Sequence, residues 1–330
     1  MNYDLEIENA IKNSILDYNN IFEFRDTPNE NIFENLYVFC RENLNIHSKR
    51  VNISPNIFLF TNDFSINAKA GYRNNQSVIL INLGLMKNCF ENYLFNTKLD
   101  EYTNEKFSEL ISRFDNPISV LAFQITTQFT YYHELAHLFQ FTKKQIPEIE
   151  LQEREKEEAN FNITNHKLEI NADTYSAISI ATHIKQYIDK SFGDEINVEI
   201  INSTIKILGS CIMNYIINFS HDNNIYFDKH SHPHPFLRLL NITMNIANHI
   251  ESMSQFQEKG IKLDGKNIFE SIVDYYRELE VAGIFKTKFT DLIDQNLHLH
   301  KDIINYLAEL IIFDVPDFED AMNIWNKHII

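Results

Sequence analysis

Apolar residues recur at three and four through Ile118, Leu121, Ile125, Phe129, Tyr132, Leu135 and Phe139, a single stripe along a helix of 3.6 residues per turn. Asn116-Pro117 opens that helix, and the pattern carries it to residue 141. Earlier, residues 56–61 (NIFLFT) and 77–82 (SVILIN) are short apolar runs flanked by turn residues, which predicts buried strands. Arg73-Asn74-Asn75-Gln76, between residues 67–72 and 77–82, predicts a hairpin. Thr27-Pro28-Asn29-Glu30 places proline at a first helical position and glutamate three residues after a capping threonine, so a helix is expected over about 28–43. After Gly84 the periodicity is helical: helices are expected over 117–141, 165–189 and 199–219, and three or four more follow residue 235, one opening near Pro316. Residues 148–158 (EIELQEREKEE) read as the solvated face of a further helix. Residues 221–235 read as a His- and Pro-rich loop, with Pro235 at the start of the next helix. The fold class expected is α+β, mostly helical, with a small N-terminal sheet.

Composition narrows the function classes. The chain is 44% hydrophobic and 23% charged, enough to bury a core. Only 7 Gly and 7 Pro leave few tight turns, which disfavours a barrel or sandwich of many short strands. Lys+Arg is 29 against Asp+Glu 46, a net charge of −17, and the cations are scattered; no nucleic acid partner is expected. Cys40, Cys89 and Cys211 are too few and too dispersed for a disulfide framework or a Cys-rich zinc module and suit a reducing cytoplasm. The N-terminus lacks a basic segment followed by an apolar run, so no signal peptide is expected. The most apolar stretch, 205–219, is interrupted by Lys206, Gly209, Ser210, Asn214 and Asn218. It falls short of the roughly 20 residues that span a bilayer, so it reads as a buried helix and no integral membrane segment is expected.

The chemistry is concentrated in three places. His133-Glu134-Leu135-Ala136-His137 is H-E-x-x-H within the strongest helical pattern. Four residues is about one turn, so both histidines project from one face and can reach one metal ion. Glu134 lies beside that face, where it can hold a water without being a ligand. Thr126, Thr130, His133 and His137 form a polar stripe opposite the apolar one. A catalytic zinc takes three protein ligands and keeps a position for water. On the next long helix Glu169 and Asp173 stand four apart, and Glu169 is taken as the third ligand. Asp173 would then accept the outer N–H of a ligating histidine. Asp173 or His166 as the ligand is the rival assignment. The third place is the loop Ser231-His232-Pro233-His234-Pro235, followed by Arg238, which could also be a rigid connector.

In order and spacing these parts resemble the HtpX/CAAX-prenyl-endopeptidase group of zinc metallopeptidases, over about residues 55–245. H-E-x-x-H is His133 to His137, E-x-x-A-D is Glu169 to Asp173, and S/T-H-P-x-x-x-x-R is Ser231-His232-Pro233 with Arg238. Ile66-Asn67-Ala68 and the run from Val78 to Leu85 look like that group's N-A strand and its edge strand. The stretch between Leu85 and His133 is longer than usual there, the membrane helices of the group's best-known members are missing, and residues after about 250 match nothing in it. His166-Lys167-Leu168-Glu169-Ile170-Asn171-Ala172-Asp173 is also similar to the H-x-x-E-x-x-A-D element of Lit-type phage-exclusion peptidases, which cut elongation factor Tu.

These resemblances imply a zincin-like catalytic domain over 55–250, preceded by an N-terminal helical segment (1–54) and followed by a helical C-terminal extension (251–330). They imply one zinc ion per chain and a protein or peptide substrate, with a regulatory protein partner left open. The expected chemistry is hydrolysis of a peptide bond by a metal-activated water, with Glu134 as general base. His232 or Arg238 is the candidate donor to the oxyanion. Residues 77–83 are expected as an edge strand that holds extended peptide. A competing class is a non-catalytic metal-binding interaction protein; Glu134 argues against it, since a structural site needs ligands alone.

Overall fold

In a computed structural model the elements run α1 (Tyr3–Lys12), α2 (Glu30–Ser48), β1 (Asn56–Thr61), β2 (Ala68–Arg73), β3 (Gln76–Asn82), α3 (Leu83–Cys89), α4 (Thr97–Lys106), α5 (Ser108–Ile111) and α6 (Ile118–Phe141). They continue with α7 (Ile163–Phe192), α8 (Val198–Ile217), α9 (Pro235–Ser252), α10 (Ser254–Glu258), α11 (Gly265–Val281), α12 (Phe289–Asn296), α13 (His300–Leu310) and α14 (Pro316–Asn326). The structure describes residues 2–48, 50–51, 53–141, 161–219, 224–287 and 289–326. The helix expected over 148–158 lies outside the described residues. The chain is mostly helical with one small sheet, as the periodicity predicts. It divides into two units, Met1–Asn88 with Thr130–Asn160 and Phe313–Ile330, and Cys89–Phe129 with Phe161–Ile312.

In the first unit the described strands form one sheet in the order β1-β3-β2. β3 runs parallel to β1 and antiparallel to β2. Asn74 and Asn75 both have positive φ, 48° and 63°, the two-residue turn that matches the twist of a hairpin. The expected edge strand over 77–83 is therefore corrected: β3 is central, and its ladder groups serve β1 and β2. The edges are β1 and β2. A strand covered on both sides is a continuous apolar run, which is what 77–82 is. Along β1, the Phe58 amide donates to Glu6 Oε1 at 2.8 Å and the Phe60 amide to the Tyr3 hydroxyl at 3.1 Å, so α1 side chains take ladder groups of that strand. Burial pushes the Glu6 carboxyl up, against the pull of Arg41. Phe24, Phe33, Tyr37, Phe58 and Phe60 fill the space beside them. Gly84 is required by a close approach, since a Cβ there would stand 2.1 Å from the Phe64 carbonyl oxygen. The ring of Tyr131, on the C-terminal part of α6, meets Phe39 and Phe58 edge-on, which fixes that part of the helix.

The second unit is helical. Its start signals use asparagine: the Thr164 amide donates to Asn162 at the head of α7, and the Ile200 amide to Asn197 at the head of α8. The head of α9 is capped instead by His234, whose Nδ1 accepts from the Phe236 amide at 3.1 Å, with Pro235 in the first turn. α8 is long and apolar enough to cross a membrane by length and composition alone, but 78% of its most apolar 18 residues are buried inside the protein, and 205–219 was expected as a buried helix. The polar residues that interrupt it are hydrogen-bonded between elements: Ser210 Oγ donates to the Ile272 carbonyl, Asn214 donates to Tyr93, and Tyr276 donates to Asn214. Cys40, Cys89 and Cys211 are buried and form no disulfide.

Candidate metal centre

His133, Glu134 and His137 are all buried on α6. The stripe of Thr126, Thr130, His133 and His137 is interior and not a solvent face. Thr126 satisfies its hydroxyl locally, donating to the Ala122 carbonyl at 2.8 Å. One helical turn brings His133 Nε2 and His137 Nε2 to 3.1 Å apart, with the rings nearly perpendicular. His137 Nδ1 stands 2.8 Å from Gln140 Oε1. An amide oxygen only accepts, so Nδ1 carries the hydrogen and Nε2 keeps its lone pair on the side facing His133. That is the tautomer a metal-ligating histidine needs.

Glu169 is buried on α7, and the ligand atoms of His133, His137 and Glu169 all lie within 4.8 Å of one another. Among the described residues no other group of three His, Cys, Asp or Glu side chains is so arranged. Two imidazoles and a carboxylate can hold a divalent metal ion, and three ligands leave room for a further group. The rival ligands are engaged elsewhere. His166 Nε2 lies 3.2 Å from the His230 carbonyl and Nδ1 lies 2.9 Å from the Tyr306 hydroxyl. Burial pushes the His166 pKa down to about 4, so the ring is neutral near pH 7. Asp173 receives Arg238 Nε and Nη2, each at 2.8 Å, a two-pronged buried pair between α7 and α9. The acceptor at the outer nitrogen of His137 is Gln140, where Asp173 was one expectation.

The His-Pro loop brings one histidine to the glutamate. His232 Nε2 stands 3.5 Å from Glu169 Oε1, and its side chain keeps 19% exposure. Ser231 Oγ is 2.7 Å from His232 Nδ1. Facing a carboxylate, Nε2 is the nitrogen to carry the hydrogen, and Nδ1 then accepts from the serine hydroxyl. His234 is spent on its helix cap and packs edge-on against Tyr226. Arg238 is committed to Asp173, so its geometry is that of a clamp between helices.

Two participants, Gln140 and Tyr306, were missed from sequence, and two, Ser231 and His166, were named there in other roles. Gln140 and Ser231 were within reach of local reasoning, being three residues after His137 and one before His232. The bridging role of His166 and the part of Tyr306 depend on a contact 140 residues apart, for which the sequence carries no local signal. Comparison with family models, curated proteins and solved structures gave no match to this chain.

Proposed function

We propose that the chain is a zinc-dependent endopeptidase with a zincin-like catalytic core, holding one zinc ion per chain on His133, His137 and Glu169. The observation that carries this reading is the convergence of those three buried side chains with a buried glutamate, Glu134, next to a ligand in sequence. A bound zinc ion would polarise a carbonyl and lower the pKa of water to about 7. Glu134 takes the proton of the attacking water and returns it to the leaving amine. His232, carrying its hydrogen on Nε2, donates to the oxygen that becomes negative in the transition state. Arg238 acts through Asp173 by holding α9, and with it the loop, against the glutamate helix. β1 and β2 are the edge strands, and since α1 side chains already take amides of β1, extended peptide adds along β2 by main-chain hydrogen bonds.

The substrate is a protein or peptide. The motifs leave two family resemblances, to the HtpX/CAAX-prenyl-endopeptidase group and to the Lit-type peptidases, and under the second the substrate would be a host translation factor. A merely structural metal site would have no use for Glu134. The test is elemental analysis of the purified protein and of its Glu169→Ala variant, with a search for new protein termini in cells expressing wild type or Glu134→Gln. We expect about one zinc in wild type, loss of it in Glu169→Ala, and retention in Glu134→Gln with hydrolysis down by about 10²–10⁴-fold. Wild-type cleavage in Glu134→Gln would remove the mechanism. Full zinc in Glu169→Ala would remove the ligand set.

A further inference from the structure

We propose that His166 is a positioning residue: it ties the His230 carbonyl to one ring nitrogen and the Tyr306 hydroxyl to the other, so that α13 sets where the His-Pro loop presents His232 to Glu169. Its consequence for rate rests on the proposed peptidase function; its consequence for the loop does not.

The chemistry of the ring fixes the direction of both bonds. The His230 carbonyl can only accept, so His166 Nε2 carries the hydrogen and donates at 3.2 Å. Nδ1 is then an acceptor, and the Tyr306 hydroxyl at 2.9 Å donates to it. No position remains for a proton shared between the two, so the ring is a rigid link with one polarity. His166 is 0% exposed, and Phe161 and Tyr306 meet it edge-on, so it has no freedom to turn. Burial, which holds its pKa near 4, keeps it in this neutral form.

The link lands where it matters for His232. His230 has φ 60°, a left-handed conformation that a residue with a Cβ keeps only where its surroundings hold it. The bond to its carbonyl is such a hold. Four residues on, His234 is fixed as the cap of α9. Between those anchors Ser231 bonds the ring of His232, and Pro233 fixes its own φ. His232 thus stands midway in a short segment pinned at both ends, and one pin passes through His166 to α13. The ring of Phe227 against Tyr306, with centroids 5.4 Å apart, adds a second contact between the same loop and the same helix. Helix α13 lies in the part of the chain for which the motifs suggested no role, and this gives it one.

The experiment compares Tyr306→Phe with Tyr187→Phe. Each loses one hydroxyl that bonds a side chain, Tyr306 to His166 near the start of α7 and Tyr187 to Gln124 from its later turns. Amide exchange of residues 224–234, zinc content, kcat and KM on a cleaved peptide, and the imidazole 15N shifts of His166 are measured in both. We expect Tyr306→Phe to keep its zinc, to exchange the loop roughly fivefold to tenfold faster, and to lower kcat by a similar factor with KM unchanged, the size of one lost hydrogen bond. Tyr187→Phe should do none of this. In wild type His166 should show Nε2–H, with the Nδ1 shift alone moving in Tyr306→Phe. Loop exchange equal in the two variants, or an Nδ1–H pattern in wild type, overturns the proposal. If wild type cleaves no peptide, the peptidase function falls, while loop exchange and 15N shifts still decide on the link.

Discussion

Helix α8 buries Ile201, Ile205, Leu208, Ile212, Met213 and Ile216, while α7 buries every residue from His166 to Asp173, among them a histidine, a lysine, a glutamate, an asparagine and an aspartate. Both helices belong to the same unit, and α7 is covered all round over 166–173 as α8 is over 207–217. On α8 burial is itself the driving force, since a fully buried aliphatic side chain contributes about 1.5–3 kcal/mol. On α7 burial costs free energy, because ionisable groups leave water. That cost is offset by specific partners: Arg238 for Asp173, and Tyr306 with the His230 carbonyl for His166. Where a helix buries polar groups that apolar ones could replace with a gain in stability, the reason for keeping them lies in chemistry. The segment 166–173 is such a place; in 201–216 the buried polar side chains Thr204, Ser210 and Asn214 are uncharged and hydrogen-bonded within the helical packing.

The strongest way to break this contrast is the Asp173–Arg238 pair. Arg238→Ala leaves a carboxylate buried without its cation, which should cost about 3–5 kcal/mol. The double variant Asp173→Leu with Arg238→Met replaces the pair by apolar groups and should recover most of that loss or exceed it. Denaturant melts of the three proteins measure both. If Arg238→Ala melts like wild type, the charges of α7 are not held by this pair and the contrast with α8 loses its basis.

The same contrast explains what could be read from sequence. Local rules reached far: the stripe on α6, the strands near 56–61 and 77–82, the Asn-Asn turn and the proline at the head of α9 depend on residues within a few positions of one another. The two histidines of H-E-x-x-H are neighbours for the same reason. What failed was non-local. Strand order depends on which segments meet, so β3 was expected at the edge although SVILIN is the composition of a covered strand and AKAGYR that of an outer one. The polar breaks in α8 looked like interruptions because their partners, Ile272, Tyr93 and Tyr276, are distant in sequence. Arg238 was expected as an oxyanion donor, and only the fold shows its pairing with Asp173, since the two residues stand 65 apart.

A smaller effect follows from His166 and acid. Its folded pKa, about 4, lies below the ordinary histidine value of 6.5, and burial is the first cause. The unfolded chain then binds the proton more readily than the folded one, so this group's share of stability is complete above pH 6.5 and is lost as pH falls toward 4. The full loss is about 3 kcal/mol. Burial also lowers His183 and His249, which act in the same direction. Stability measured from pH 7 to pH 4 in wild type and His166→Gln should show a flatter dependence in the variant. Equal slopes would mean that His166 takes up its proton in the fold as readily as in the open chain, and the neutral link to Tyr306 would fall with that.

The smallest expected effect is on α8. Ile212 is buried at 1% exposure on the face-to-face apolar helix, and no reacting group depends on it. Ile212→Val removes one methylene and leaves a small gap, so it should cost about 0.5–1.5 kcal/mol. The denaturant midpoint should move with no change in slope, since the surface exposed on unfolding is almost the same. Zinc content and peptide turnover should stay at wild-type levels. Glu134→Gln on α6 is the opposite case, where a nearly isosteric change should erase turnover and leave the midpoint close to wild type. The two variants together separate the roles of burial, because one moves stability alone and the other rate alone. A drop in zinc or turnover in Ile212→Val would show that α8 transmits its packing to the metal ligands, and the division between a helix buried for stability and one buried for chemistry would then have to be redrawn.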